Sequence, residues 1–174
     1  DLHEDVQAGE GEDATDEYGV TIAATIATYL LRQDLSVGMI INGEHREFLS
    51  LDRGDRQIER VLELLVVVQA GSGVPLKEAL ALDAFHFGRN TVAIVITPSN
   101  SRDWHDGLRH LQRRGVQVAV VGMDAASFEN EPSDEDTLAL LEGAGIAVMR
   151  VKYKESLAQI LESGSTNGRY AQRR

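Results

Sequence analysis

The chain has 174 residues, 43% of them apolar and none of them cysteine, and a formal net charge of −11. This length and apolar content support one sizeable core and not two, and the absence of cysteine excludes disulfides, thiolate catalysis and cysteine zinc sites. No run of about 18 apolar residues occurs, and the acidic N-terminus carries neither a basic leader nor an apolar signal region, so neither a spanning helix nor secretion is expected.

The acidity is uneven. Asp1, Glu4, Asp5, Glu10, Glu12, Asp13, Asp16 and Glu17 account for eight of the eleven net negative charges, leaving −3 for the rest of the chain. Residues 1–17 contain no Lys or Arg and are expected to form a solvated acidic segment. A second acidic stretch, 129–142, is broken by Pro132 and Ser133. Basic residues form only small groups such as Arg109, Arg113 and Arg114, so nucleic-acid binding is not expected.

Tyr18, Ile22, Ile26, Tyr29 and Leu30 recur at helical spacing, with Asp16 and Glu17 near the first turn, and predict a first helix over 18–32. The apolar runs 36–43 and 45–51 read as a hairpin with Asn42-Gly43 near its turn. Asp55 is the expected N-cap of a helix over 57–70, whose broad apolar face includes Ile58, Val61 and Leu65 and which Gly71-Ser72-Gly73 ends. A short helix over 76–87 closes at Gly88 and leads into the β-branched strand 91–97. Helix 103–114, strand 116–123, helix 136–144 and strand 146–151 follow, with a last helix over 156–163 and a polar tail over 164–174.

This order predicts an α/β domain over 18–163 with a mostly parallel sheet and one antiparallel edge strand. Ligands of such sheets gather at strand carboxyl ends, which here carry Asn42, Ser99, Asn100, Asp124 and Asp1.

The succession of DEYGVTIAATIATYLLR (16–32), VGMIING, DRGDRQIERVLELL (52–65), VPLKEAL, VAIVITPS and LRHLQRRGVQVAVV (108–121) resembles the C-terminal domain of the "domain of unknown function 58" family over about residues 16–160. Members of that family are similar to von Willebrand factor A domains, commonly follow membrane-spanning segments and are often partnered with MoxR-type AAA-family ATPases. The resemblance implies a Rossmann-like, doubly wound sheet serving protein assembly at the cytoplasmic face of a membrane. It also implies three metal-ligating positions: a Thr before the Pro-Leu of one loop, an Asp ending the next strand, and an Asp-x-Ser-x-Ser motif ending a central first strand. This chain has Val74 before Pro75-Leu76, Pro98-Ser99 at the strand end, and Asp1, His3 and Asp5 at the motif positions. Val and Pro side chains offer no oxygen to a hard cation, so the site reads as degenerate and no cofactor is expected. Asp1, Asp5 and Asp124 are weak metal candidates. The start at Asp1-Leu2-His3 reads as a fragment whose first strand is truncated, and unpaired edges beside 36–42 and 91–97 predict strand exchange or a homodimer.

The histidines, His3, His45, His86, His105 and His110, are scattered, and the i,i+4 spacing of Asp106 and His110 reads as a solvated helix surface. Gly71-Ser72-Gly73 lacks the Lys-Ser/Thr ending of a phosphate loop, and Ser72 lacks a nucleophile-elbow setting. Trp104 is read both as an interface anchor and as a core residue at a helix start. The expected function is a non-enzymatic protein-interaction domain using Val74, Pro75, Ser99, Asn100, Trp104 and Asp124. A small-ligand or metal-dependent enzyme using Asp124 is the alternative of a different class.

Overall fold

Trp104, Leu108 and Leu111 follow one another at helical spacing, and all three are 0% exposed. They fix helix α4 (His105–Arg113) to a core that includes Leu80, Ala93, Val118 and Val120. The computed structural model describes residues 1–129 and 137–155. In chain order its helices and strands are α1 (Thr15–Arg32), β1 (Val37–Asn42), β2 (Arg46–Asp52), α2 (Asp55–Val67), α3 (Leu76–Asp83) and β3 (Val92–Thr97), then α4, β4 (Gln117–Met123), α5 (Ala125–Phe128), α6 (Thr137–Gly143) and β5 (Ala147–Val151).

The chain is mixed α/β, with a parallel sheet in the order β3-β4-β5 and an antiparallel pair β1-β2. Parallel register runs from Val92 opposite Gln117 to Thr97 opposite Gly122, and from Ala119 opposite Ala147 to Met123 opposite Val151. Among the described residues there are two sheets, because β1 and β3 do not bond to each other. Helix α1 joins them from one face. Its Ile22 and Ile26 pack with Ile96, Val121 and Met123 of the parallel sheet, while its Ala27 and Leu31 pack with Ile41 and with Val61 and Leu65 of α2. Helices α3, α4 and α6 contribute Leu80, Leu108 and Leu141 to a separate cluster with Ala93, Val118 and Val120. Burial on both faces explains why β4 reads as a nearly continuous apolar run, whereas Val92 and Ile94 of β3 are 55% and 37% exposed.

Several boundaries differ from those read in the sequence. Helix α1 starts at Thr15, inside the segment expected to be solvated. The acids Glu4, Asp5, Glu10, Glu12 and Asp13 are exposed, but Leu2, Ala8, Ala14 and Thr15 between them are buried. Gly54, at φ 84°, and not Asp55, is the N-cap of α2, and Asp55 lies in the first turn where its charge suits the helix dipole. Helix α2 stops at Val67 because the next residues turn to bond elsewhere: Glu44 N–H donates to Gln69 O at 3.1 Å and Gly71 N–H to Leu2 O at 3.0 Å. Helix α3 ends at Asp83 and continues as a 3-10 turn, Ala84–His86. Helix α5 was not foreseen. The expected helix 156–163, the tail 164–174 and positions 130–136 of the second acidic stretch lie outside the described residues.

One buried polar residue ties helix to sheet. Gln57 is 1% exposed, and its side-chain amide donates to Val37 O at 2.8 Å and Ser50 O at 2.9 Å. These carbonyls belong to or adjoin the register irregularity between Val37 and Met39 in the β1-β2 ladder. A side chain thus supplies donors where the irregular ladder does not. No helix among the described residues is long and apolar enough to cross a membrane.

Candidate functional site at the carboxyl edge

Parallel strands β3, β4 and β5 all end on one edge, and residues 1–3 reach the same edge from the opposite side of β3. Thr97, the last residue of β3, is 1% exposed. Its hydroxyl donates to the Asp1 carboxylate at 2.7 Å and accepts from Ser99 N–H at 3.0 Å. The second carboxylate oxygen of Asp1 accepts from His3 N–H at 3.3 Å. The Asp1 ammonium donates to Ile96 O at 2.9 Å, and burial pulls its pKa down from 8.0 to about 6. Gln7 then braces this turn: its side-chain amide donates to His3 O at 3.0 Å, and its carbonyl oxygen accepts from the Thr15 hydroxyl at 2.8 Å.

The neighbouring loops are built the same way. Asn42, 5% exposed at the end of β1, donates its side-chain amide to Val74 O, and its own carbonyl accepts from Leu2 N–H at 2.7 Å. Gly73 is required where it stands, since a Cβ there would lie 2.2 Å from Gly43 O. After β3, Ser101 N–H donates to the Ser99 hydroxyl at 3.4 Å, and the Ser101 hydroxyl donates to the Asp103 carboxylate at 2.6 Å. Thr137, at the start of α6, donates to Asn100 O at 2.8 Å.

Of the residues singled out from sequence, Pro75 and Asn100 are exposed, Val74 and Asp124 half-buried, and Ser99 buried at 8% exposure. Trp104 is 0% exposed and belongs to the core, so the interface-anchor reading of this residue is corrected: its ring packs inward from the N-cap position of α4. Asp124 follows β4; its N–H donates to Val151 O at 2.9 Å, and its C=O accepts from Ser127 N–H at 2.9 Å. Asp5 turns away to His3, with 3.8 Å between its carboxylate and Nδ1 and its side chain 82% exposed. No cluster of three or more His, Asp or Glu among the described residues forms a metal-binding group.

Thr97 was not singled out from sequence. The signal available is a hydroxyl residue closing a β-branched run, next to Pro98 and Ser99 at the place where the resemblance implies an Asp. The structure instead pairs Thr97 with Asp1. A second feature is the polar pair beneath the edge: Trp104 Nε1 and His105 Nε2 are buried without a hydrogen-bond partner among the described residues, and their rings meet edge to face at 4.8 Å. Burial, then the Arg109 and Arg102 charges, hold the His105 pKa below its usual value, so the imidazole is kept neutral near pH 7.

The edge is therefore a set of loops bonded to one another, with polar side chains such as Asn100, Ser101 and Asp103 exposed on its outer side. Comparison of the chain with models of known families, with curated proteins and with solved structures finds no match.

Proposed function

We propose that this chain is a von Willebrand A-like protein-interaction domain of the "domain of unknown function 58" type, with a degenerate metal site, that works in complex assembly at the cytoplasmic face of a membrane with a MoxR-type AAA-family ATPase. The observation that carries this reading is the carboxyl edge. Its groups that would face a cation are engaged with each other: the Asp1 carboxylate with Thr97 and the His3 amide, and the Val74 carbonyl with Asn42. Loops bonded in this way present a fixed outer surface, and a preordered surface loses little entropy on binding. Partner contacts then fall to the exposed outer rim, with Pro75 on one loop and Asn100, Ser101 and Asp103 on the next.

The test is a binding titration of a purified MoxR-type ATPase against the wild-type chain and a rim variant combining Pro75→Asp, Asn100→Ala and Asp103→Lys. Saturable binding to the wild type that the rim variant weakens at least about tenfold, equivalent to about 1.4 kcal/mol, supports the reading. Binding unaffected by the rim changes, or none at all, overturns it.

A further inference from the structure

Helix α4 begins on two side chains whose ring nitrogens are buried and unmatched. Trp104, its N-cap, is 0% exposed, and His105, its first residue, 7%. Trp104 Nε1 and His105 Nε2 make no hydrogen bond among the described residues. Burying an imidazole nitrogen without a partner costs free energy that the same group in water does not pay. The backbone around it is closed: His105 N–H donates to Arg102 O at 3.2 Å, and the Gly107 and Leu108 N–H groups donate to Trp104 O at 3.0 and 3.4 Å. One turn further on, Leu108 and Leu111, both 0% exposed, hold α4 to the core by themselves.

The surroundings of the imidazole work against a proton. The free N–H groups at a helix start carry partial positive charge, and His105 lies at that end. Arg109 of α4 and Arg102 of the loop oppose a positive charge here, while Asp106 and Asp103 favour one. Both acids are exposed and already accept hydrogen bonds, Asp103 from the Ser101 hydroxyl at 2.6 Å and Asp106 from Arg109 at 3.3 Å. Strands β3 and β4, on which α4 packs, carry no charged side chain. Helix α3 meets α4 where Leu80 lies against Gly107; its Lys77 and Glu78 are exposed and its Asp83 is engaged by Arg46. Glu142 of α6 pairs with Arg150 at 2.9 Å. No carboxylate on these packed elements is placed to neutralise a buried imidazolium, in keeping with a His105 pKa held down by burial first and by the two Arg second.

We propose that His105 is a proton-driven release for the loop 99–103: on protonation its ring leaves the buried position for water, unwinding the first turn of α4 and loosening Asn100, Ser101 and Asp103 on the carboxyl edge, while Leu108 and Leu111 keep the rest of the helix in place. In the open form the imidazole is in water with its ordinary pKa of 6.5. The opening equilibrium therefore grows by up to about tenfold for each pH unit below 6.5 and stops growing below the pKa of the closed form. Above 6.5 the loop stays closed with constant strength. The inference concerns the loop itself and does not depend on the partner proposed above.

The test follows amide hydrogen exchange between about pH 7.5 and 5.5, as protection factors, at His105, Gly107 and Leu108, with Val118 and Val120 of β4 as reference. The protection of the first three should fall by at least about threefold relative to the two references. Emission of Trp104, the sole tryptophan, should change over the same range. In His105→Gln, whose side chain does not titrate, the relative protection should stay constant. An equal fall at Val118 and Val120 would mean global unfolding and would overturn the proposal, as would the same fall in His105→Gln. Should that variant fail to fold, NMR titration of the His105 imidazole in the unaltered chain decides: a midpoint below 6.5 that coincides with the loss of protection supports the release, and titration without any loss of protection overturns it.

Discussion

The hydroxyl of Thr97 donates a 2.7 Å hydrogen bond to the carboxylate of Asp1, joining the end of β3 to the first residue of the chain across the carboxyl edge of the sheet. The same hydroxyl accepts from Ser99 N–H, so one buried side chain positions both the N-terminal residues and the loop that leads to α4. Replacing it with the near-isosteric Val removes both bonds while keeping the volume. Thr97→Val should cost about 1–3 kcal/mol in urea unfolding, since it leaves the Asp1 carboxylate without its buried donor. Thr97→Ser, which keeps the hydroxyl, should lose less. Equal losses for Ser and Val would mean that packing, and not the hydrogen bonds, accounts for the effect.

Gln57 makes a second prediction. Its amide serves two carbonyls, Val37 O and Ser50 O, where the β1-β2 ladder is irregular. Gln57→Leu should destabilise by about 1–3 kcal/mol, because both carbonyls would be stranded beneath α2. The gain from removing the unpartnered Gln57 Oε1 works the other way. A Leu variant as stable as the wild type would show that this second term dominates.

Stability should fall in acid. The Asp1 ammonium has a pKa lowered from 8.0 to about 6 by burial. Between these values the unfolded chain binds more protons than the folded one, so stability rises with pH across that window and levels off on either side. Two pKa units correspond to a change on the order of 2–3 kcal/mol. Acetylating the Asp1 nitrogen should flatten this part of the profile measured by denaturant titration. His105, its pKa also lowered by burial, adds a loss of the same sign as pH falls below its ordinary value of 6.5, and this loss should survive acetylation.

Divalent cations should have little effect. With the Asp1 carboxylate engaged by Thr97 and no group of three or more ligating side chains among the described residues, millimolar Mg²⁺, Mn²⁺ or Ca²⁺ is expected to leave Tm within about 1 °C of its value in chelator. A saturable rise of roughly 5–10 °C would establish a working cation site and overturn the degenerate-site reading.

The local order of elements was written in the sequence. The periodicity of 18–32, the β-branched run 91–97 and the Asn42-Gly43 turn each identified an element to within a few residues, because helix and strand periods depend on neighbours close in the chain. Boundaries were less legible where a distant partner decides them. Helix α2 stops at Val67 because Gln69 O and the Gly71 N–H bond Glu44 and Leu2, and no residue within α2 announces that.

Trp104 shows a limit of another kind. An aromatic beside a loop of Ser, Asn, Arg and Asp fits both a contact surface and a buried anchor, and its sequence neighbours do not separate the two. The choice was made by Leu108 and Leu111, which continue its helical face, and by the strands against which that face packs.

By itself the sequence determined the α/β class, the succession of elements and the absence of side-chain oxygens at Val74 and Pro98, since these follow from residue chemistry and short-range period. Only the tertiary structure decided that Leu2 and Thr15 are buried within an acidic segment and that Asp1 meets Thr97. Each of these joins residues far apart in the chain, and such contacts form by closing loops around a shared core, a process that local pattern does not encode.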